Sequence, residues 1–170
     1  KDIIFQSDDG SGGIETYFYL DGSTGRTRFN DSKYLVFGTD QNLFIVHDGT
    51  DSFIQNYTSG DFYIDQRVDD KDIVFRADDG SGGTTEYLRI DGGGTQIVAS
   101  KDIYALDNIK LRAGNAGDLS MLHNGTNSFL QNETGNLTIV NYTDDGDIIF
   151  QSDDGSGGVE TYFYLDGSFG

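Results

Sequence analysis

The string KDIIFQSDDGSGG at residues 1–13 returns as KDIVFRADDGSGG at 71–83 and as GDIIFQSDDGSGG at 146–158. Each copy runs into an alternating segment closed by Asp-Gly: IETYFYLDG at 14–22, TTEYLRIDG at 84–92 and VETYFYLDG at 159–167. A second block repeats with it. LFIVHDGTDSFIQN at 43–56 matches LSMLHNGTNSFLQN at 119–132, and GDFYI at 60–64 matches GNLTI at 135–139. The offset is 70 at the first motif, 76 at the histidine motif and 75 at the end. About six residues are therefore inserted within 94–118, and one is lost after Gln131-Asn132. The chain divides into repeat 1 at 1–70, repeat 2 at 71–145, and the first part of repeat 3 at 146–170. Such a series is expected to be a section of a longer array, and a first residue Lys1 in place of Met fits that expectation. Repeats of this kind cannot bury an apolar face alone and must stack on neighbours or on other copies.

Period-2 alternation between Gly, Asn, Asp and Ser turn signals predicts strands over 2–7, 15–20, 33–37, 42–47, 52–55, 61–65, 72–77, 85–90, 102–105, 109–112, 118–123, 128–131, 136–141, 147–152 and 160–165. No segment carries a 3.6-residue period with caps, so almost no helix is expected. The 12 Phe and 10 Tyr suit pleated surfaces, while a hydrophobic share of 35% is thin for one core of this length. Short meanders leave open edges, which are liabilities unless covered. Three chains wound together would cover them. The expected fold is all-β, elongated and repetitive, as an intertwined homotrimer.

Charge removes several functions. Eleven Lys+Arg against 29 Asp+Glu give −18, so there is no basic footprint for nucleic acid or an anionic membrane surface. No apolar run approaches the roughly 18 residues of a membrane span, and no signal peptide is visible. Zero cysteines exclude disulfides, thiolate metal sites and cysteine nucleophiles.

The combination DIIFQSDDGSGG–x–ETYFYLDG, then YLVFGT, LFIVHDGT, SFIQN and GDFYI, is similar to repeats in tail-fibre and structural proteins of marine tailed phages. The resemblance covers essentially the whole chain, and HDGT-x-SFIQN is its most distinctive part; the second copy departs at Asn124, where the first has Asp48. What the resemblance implies is an elongated homotrimer on a virion, built of β-helix or β-prism segments. Its partners would be copies of itself, other virion proteins and, through the parent fibre, a host surface receptor.

Candidate chemistry lies in the repeated loops. Asp8 and Asp9, Asp78 and Asp79, and Asp153 and Asp154 each precede Gly-Ser-Gly-Gly. Clustered carboxylates could take calcium as cofactor, whereas Asp and Gly together also make a tight turn; the spacing is not that of an EF-hand. The alternative function attached to calcium is a cell-surface or extracellular β-repeat protein. DGSGG differs in order from the serine-protease string GDSGG and occurs three times, so Ser11, Ser81 and Ser156 are expected to be turn residues and not nucleophiles. A tailspike-like glycan-processing enzyme would need carboxylates in an unrepeated cleft, while most acidic residues here repeat. No enzyme activity is expected. His47 and His123 occupy equivalent positions and share strand parity with Leu43 and Ile45 and with Leu119 and Met121. In a trimer three copies could converge on an axial metal; the other reading is a strand-end histidine hydrogen-bonded to a neighbouring backbone. Asn30, Asn56, Asn124, Asn132, Asn136 and Asn141 stand in N-x-[ST] strings, read here as turn asparagines. Phe44, Tyr17, Tyr19 and Tyr63 offer stacking surfaces for sugars, with packing between chains the simpler use.

Overall fold

A computed structural model of the chain describes residues 1–169. Every regular element among them is a strand. Five small antiparallel sheets follow one another along the chain and none closes into a barrel. The first contains β1 (Ile3–Asp8), β2 (Ile14–Asp21) and β3 (Arg26–Phe29); the second contains β4 (Leu35–Phe37), β5 (Leu43–His47) and β6 (Ser52–Asn56). Repeat 2 gives β7 (Ile73–Asp78), β8 (Thr84–Asp91) and β9 (Gln96–Ala99), then β10 (Leu111–Ala113), β11 (Leu119–His123) and β12 (Ser128–Asn132). Repeat 3 contributes the hairpin β13 (Ile148–Asp153) and β14 (Val159–Leu165). Each sheet is a meander in sequence order. Contacts group the chain into two units, Lys1–Arg76 with Arg89–Val98, and Ala77–Leu88 with Ala99–Gly170.

The DDGSGG hairpins are near-copies. Ile3 pairs with Leu20 and Phe5 with Phe18, then the register shifts so that Gln6 meets Thr16; Ile148, Phe150 and Gln151 do the same with Leu165, Phe163 and Thr161. Tyr17 and Tyr162 are the extra residues of these bulges. A bulge inserts one residue and breaks alternation locally. Strict alternation would set Tyr17 on one face with Tyr19, and it fails at Tyr17.

Two kinds of strand expectation are corrected. Segments 61–65, 102–105 and 136–141 show alternation but form no ladder among the described residues. Conversely β3 and β9 form where no alternating run is legible. In β3, Arg26-Thr27-Arg28-Phe29 is drawn in by its neighbour: Phe29 pairs with Phe18, and Arg28 lies over the Tyr19 ring and 3.5 Å from Asp21.

The hairpins are locked at both ends. The carboxylates of Asp2, Asp72 and Asp147 accept the amides of Gly22, Gly92 and Gly167 at 2.9, 3.0 and 3.0 Å. A Cβ at Gly22 would sit 2.6 Å from the Lys1 carbonyl oxygen, and Cβ atoms at Gly92 and Gly167 would run into the carbonyls of Lys71 and Gly146. The repeated Lys/Gly-Asp and Asp-Gly strings are the two sides of this contact.

Side-chain packing is sparse by contrast. Val46 is the one buried large apolar residue among the described residues; Asp21 and Ser120 are buried polar ones. Most Ile, Leu and aromatic side chains on the sheet faces stay open, including Ile3, Phe5, Ile45, Ile54, Met121 and Leu130.

Candidate functional site

The DDGSGG loop is built around its second aspartate. Asp9 Oδ1 accepts from the Ser11 amide (2.8 Å), the Ser11 hydroxyl (2.8 Å) and the Gly13 amide (2.9 Å). Asp79 repeats this with Ser81 and Gly83 at 2.8, 2.7 and 3.1 Å, and Asp154 with Ser156 and Gly158 at 2.7, 2.8 and 3.1 Å. The first aspartate holds the next turn: Asp8, Asp78 and Asp153 accept from Gly10, Gly80 and Gly155. Gly10 (φ 80°) and Gly12 (φ 93°) take the left-handed conformation that the loop requires. Donors aimed at a carboxylate favour its charged form. The bonds from Ser11 hold Asp9 below the usual carboxylate range, and those from Ser81 and Ser156 do so for Asp79 and Asp154.

This arrangement makes the loop a self-contained turn. One oxygen of Asp9, Asp79 or Asp154 is already saturated by loop donors. Among the described residues no group of three or more His, Cys, Asp or Glu side chains gathers to hold a metal ion. The Ser11, Ser81 and Ser156 hydroxyls donate to these carboxylates and form part of the turn.

The HDGT block makes a second turn at the end of β5 and β11. Asp48 Oδ1 accepts from Thr50 and Asp51 amides, both at 2.8 Å. Asn124 Oδ1 accepts from Thr126 and Asn127 amides at 3.0 and 2.8 Å. The exchange of Asp48 for Asn124 is thus conservative in structure, because the turn needs an oxygen acceptor and not a charge. The amides of Asp51 and Thr50 also lower the Asp48 carboxyl below its usual range.

His47 and His123 sit at the last positions of their strands. His47 Nδ1 lies 3.1 Å from Ser52 Oγ, and His123 Nδ1 lies 3.0 Å from Ser128 Oγ. Each histidine is paired across the hairpin with that serine. Strand register puts Leu35, Ile45 and Ile54 in one cross-strand row on the His47 face, and Leu111, Met121 and Leu130 in the same row on the His123 face. A shallow hollow lies over each: about 470 Å³ lined by Leu35, Ile45, His47 and Ile54 among others, and about 430 Å³ lined by Leu111, Met121, His123 and Leu130 among others.

The opposite face differs between copies. In repeat 1, Tyr34 and Tyr57 flank Phe44 at ring-centroid distances of 5.5 and 5.6 Å. The equivalent positions in repeat 2 are Lys110, Glu133 and Ser120. Tyr17 and Tyr19 lie near Lys33 and Arg28, with the cations 5.8 and 5.6 Å from the ring centroids, while Tyr63 is exposed and bonds Asp61. The recurring rows beside the histidines were not singled out by sequence reasoning, although the strand parity of His47 with Ile45 already pointed to them. No family model, curated protein or solved structure matches the chain.

Proposed function

We propose that the chain is a segment of the shaft of a virion tail fibre, an elongated homotrimer that supports host attachment by reach and stiffness. The observation that carries this is the pairing of a regular repeat with missing cover. Repeats 1 and 2 form the same pair of small sheets, and among the described residues the apolar faces of these sheets stay largely uncovered. Isolated repeats of this kind are completed by stacking. The turns are held by local bonds to one oxygen of each aspartate. The role is mechanical: repeat number sets length, and adhesion belongs to the parent fibre with its other virion proteins and its host receptor.

The test is the solution mass of the chain by sedimentation equilibrium, with and without a chelator. A trimer weighs three times 18.6 kDa and is expected under both conditions. A stable, folded single chain sinks the proposal. Electron microscopy of chains with doubled repeat number provides the mechanical readout, since rods should lengthen in proportion.

A further inference from the structure

The rows beside the two histidines mark which face meets the other copies. We infer that the His47 face of β4–β5–β6 and the His123 face of β10–β11–β12 are the surfaces through which copies of this chain bind each other. This rests on the self-associating fibre proposed above and assigns its interface.

Three observations carry it. The first is area. A folded monomer of 18.6 kDa exposes about 8,200 Å², whereas this chain exposes 13988 Å². The excess, roughly 5,700 Å², is several times the ~800 Å² that one partner gives to a standard interface. The second is chemistry at the surface. Ile45 is 41% and Ile54 63% exposed, and Met121 and Leu130 are 52% and 50% exposed. Leu35, Ile45 and Ile54 form a continuous apolar row across three strands, and so do Leu111, Met121 and Leu130.

The third observation separates the two faces of the sheet. In an assembly of identical chains in register about a rotation axis, the row that faces the axis meets its own equivalents. On the His face this brings apolar side chains together in both repeats. On the other face the row Val36, Phe44, Gln55 becomes Arg112, Ser120, Gln131. Rotational symmetry there would bring copies of Arg112 together, and like charges in contact oppose association. The occupant of the His face is therefore a second copy of this chain, with rows meeting rows.

Paired substitutions on the two faces test the assignment. Ile45→Glu with Met121→Glu should reduce the solution mass to that of one chain. Gln55→Glu with Gln131→Glu, the same added charge on the same sheets, should leave it unchanged. A second measurement does not depend on the glutamate variants folding. The chain has no cysteine, so a single introduced thiol reports its own surroundings. Ile54→Cys and Leu130→Cys should react with a maleimide roughly tenfold or more slowly than Gln55→Cys, because access limits thiol reactivity. If the unaltered protein is a single chain in solution, both the fibre reading and this interface fall. If it is an assembly in which the thiols at 54 and 55 react alike, the face assignment alone is overturned, and the fibre reading stands.

Discussion

Replacing Phe18 by Leu removes an aromatic ring from the middle of a ladder while nearly keeping its volume. The Phe18 ring stacks on Phe5 at 4.3 Å with planes 12° apart, and on Phe29 at 5.3 Å and 23°. An aromatic pair is worth about 0.5–1.5 kcal/mol beyond the area it buries. The ladder is partly open, with Phe5 and Phe29 both exposed, so the lower half of that range applies to each pair. Phe18→Leu should therefore cost about 1–2 kcal/mol. The pairwise part is isolated by a double-mutant cycle with Phe5→Leu, where a coupling of about 0.5–1 kcal/mol is expected. Repeat 2 supplies the comparison. Leu88 already stands at the position of Phe18, so Phe75→Leu loses no ring partner there and should cost less than Phe5→Leu. Urea denaturation followed by tyrosine fluorescence, at one fixed chain concentration, reads these values. Coupling below about 0.3 kcal/mol would refute the idea that the stack stabilises the sheet beyond simple burial.

Four further outcomes follow from the same geometry. The carboxyls of Asp9, Asp79 and Asp154 are depressed in the fold, so they contribute stability above their unfolded value of 3.8 that is lost as pH falls through the lower folded value; the urea midpoint should drop as the solution is acidified below about pH 4, and drop less in a variant with all three changed to Asn. Chelation should leave mass and melting temperature unchanged, and a fall in either would restore calcium to the loops. Gly22→Ala forces a methyl group towards the Lys1 carbonyl oxygen and should cost about 1–3 kcal/mol in thermal unfolding, with Gly10→Ala costing through its left-handed backbone instead. If residues 61–65 and 136–141 find ladder partners in neighbouring chains, their amides should exchange slowly in the assembly, and rapid exchange there would mean that they stay unpaired.

Much of the sheet pattern was legible because each hairpin carries its own instructions. The DDGSGG and HDGT strings place Asp, Asn and Gly where tight turns need acceptors and left-handed backbone, and the flanking alternation does the rest. β3 was not legible, since Arg26-Thr27-Arg28 has no apolar alternation and becomes a strand only by pairing with β2. Residues 61–65 failed in the opposite way: Phe62, Tyr63 and Ile64 have strand-forming side chains, but a strand is defined by a partner and the described residues provide none. The bulge at Tyr17 left no periodic trace, because one extra residue merely shifts parity. The aspartate loops read as turns in preference to cation sites from sequence alone. Only the positions of the serine and glycine donors show that Asp9 Oδ1 is already engaged.

The repeated residues fall into two physical classes. Asp2, Asp9, Gly22 and Asp48 are satisfied within a few residues or across one hairpin. Contacts of such short sequence separation form early and cheaply in entropy. Leu35, Ile45 and Ile54 find no comparable cover among the described residues. On the assembly proposed above, hairpins of this kind would set the register of each strand before chains associate. That order matters, because a slip of one residue would turn every apolar side chain to the opposite face. Folding should then be fast and independent of concentration for the hairpins, and slower and concentration-dependent for the closing of the apolar rows. A refolding experiment in which both phases sped up equally with chain concentration would mean that the turns do not form ahead of assembly.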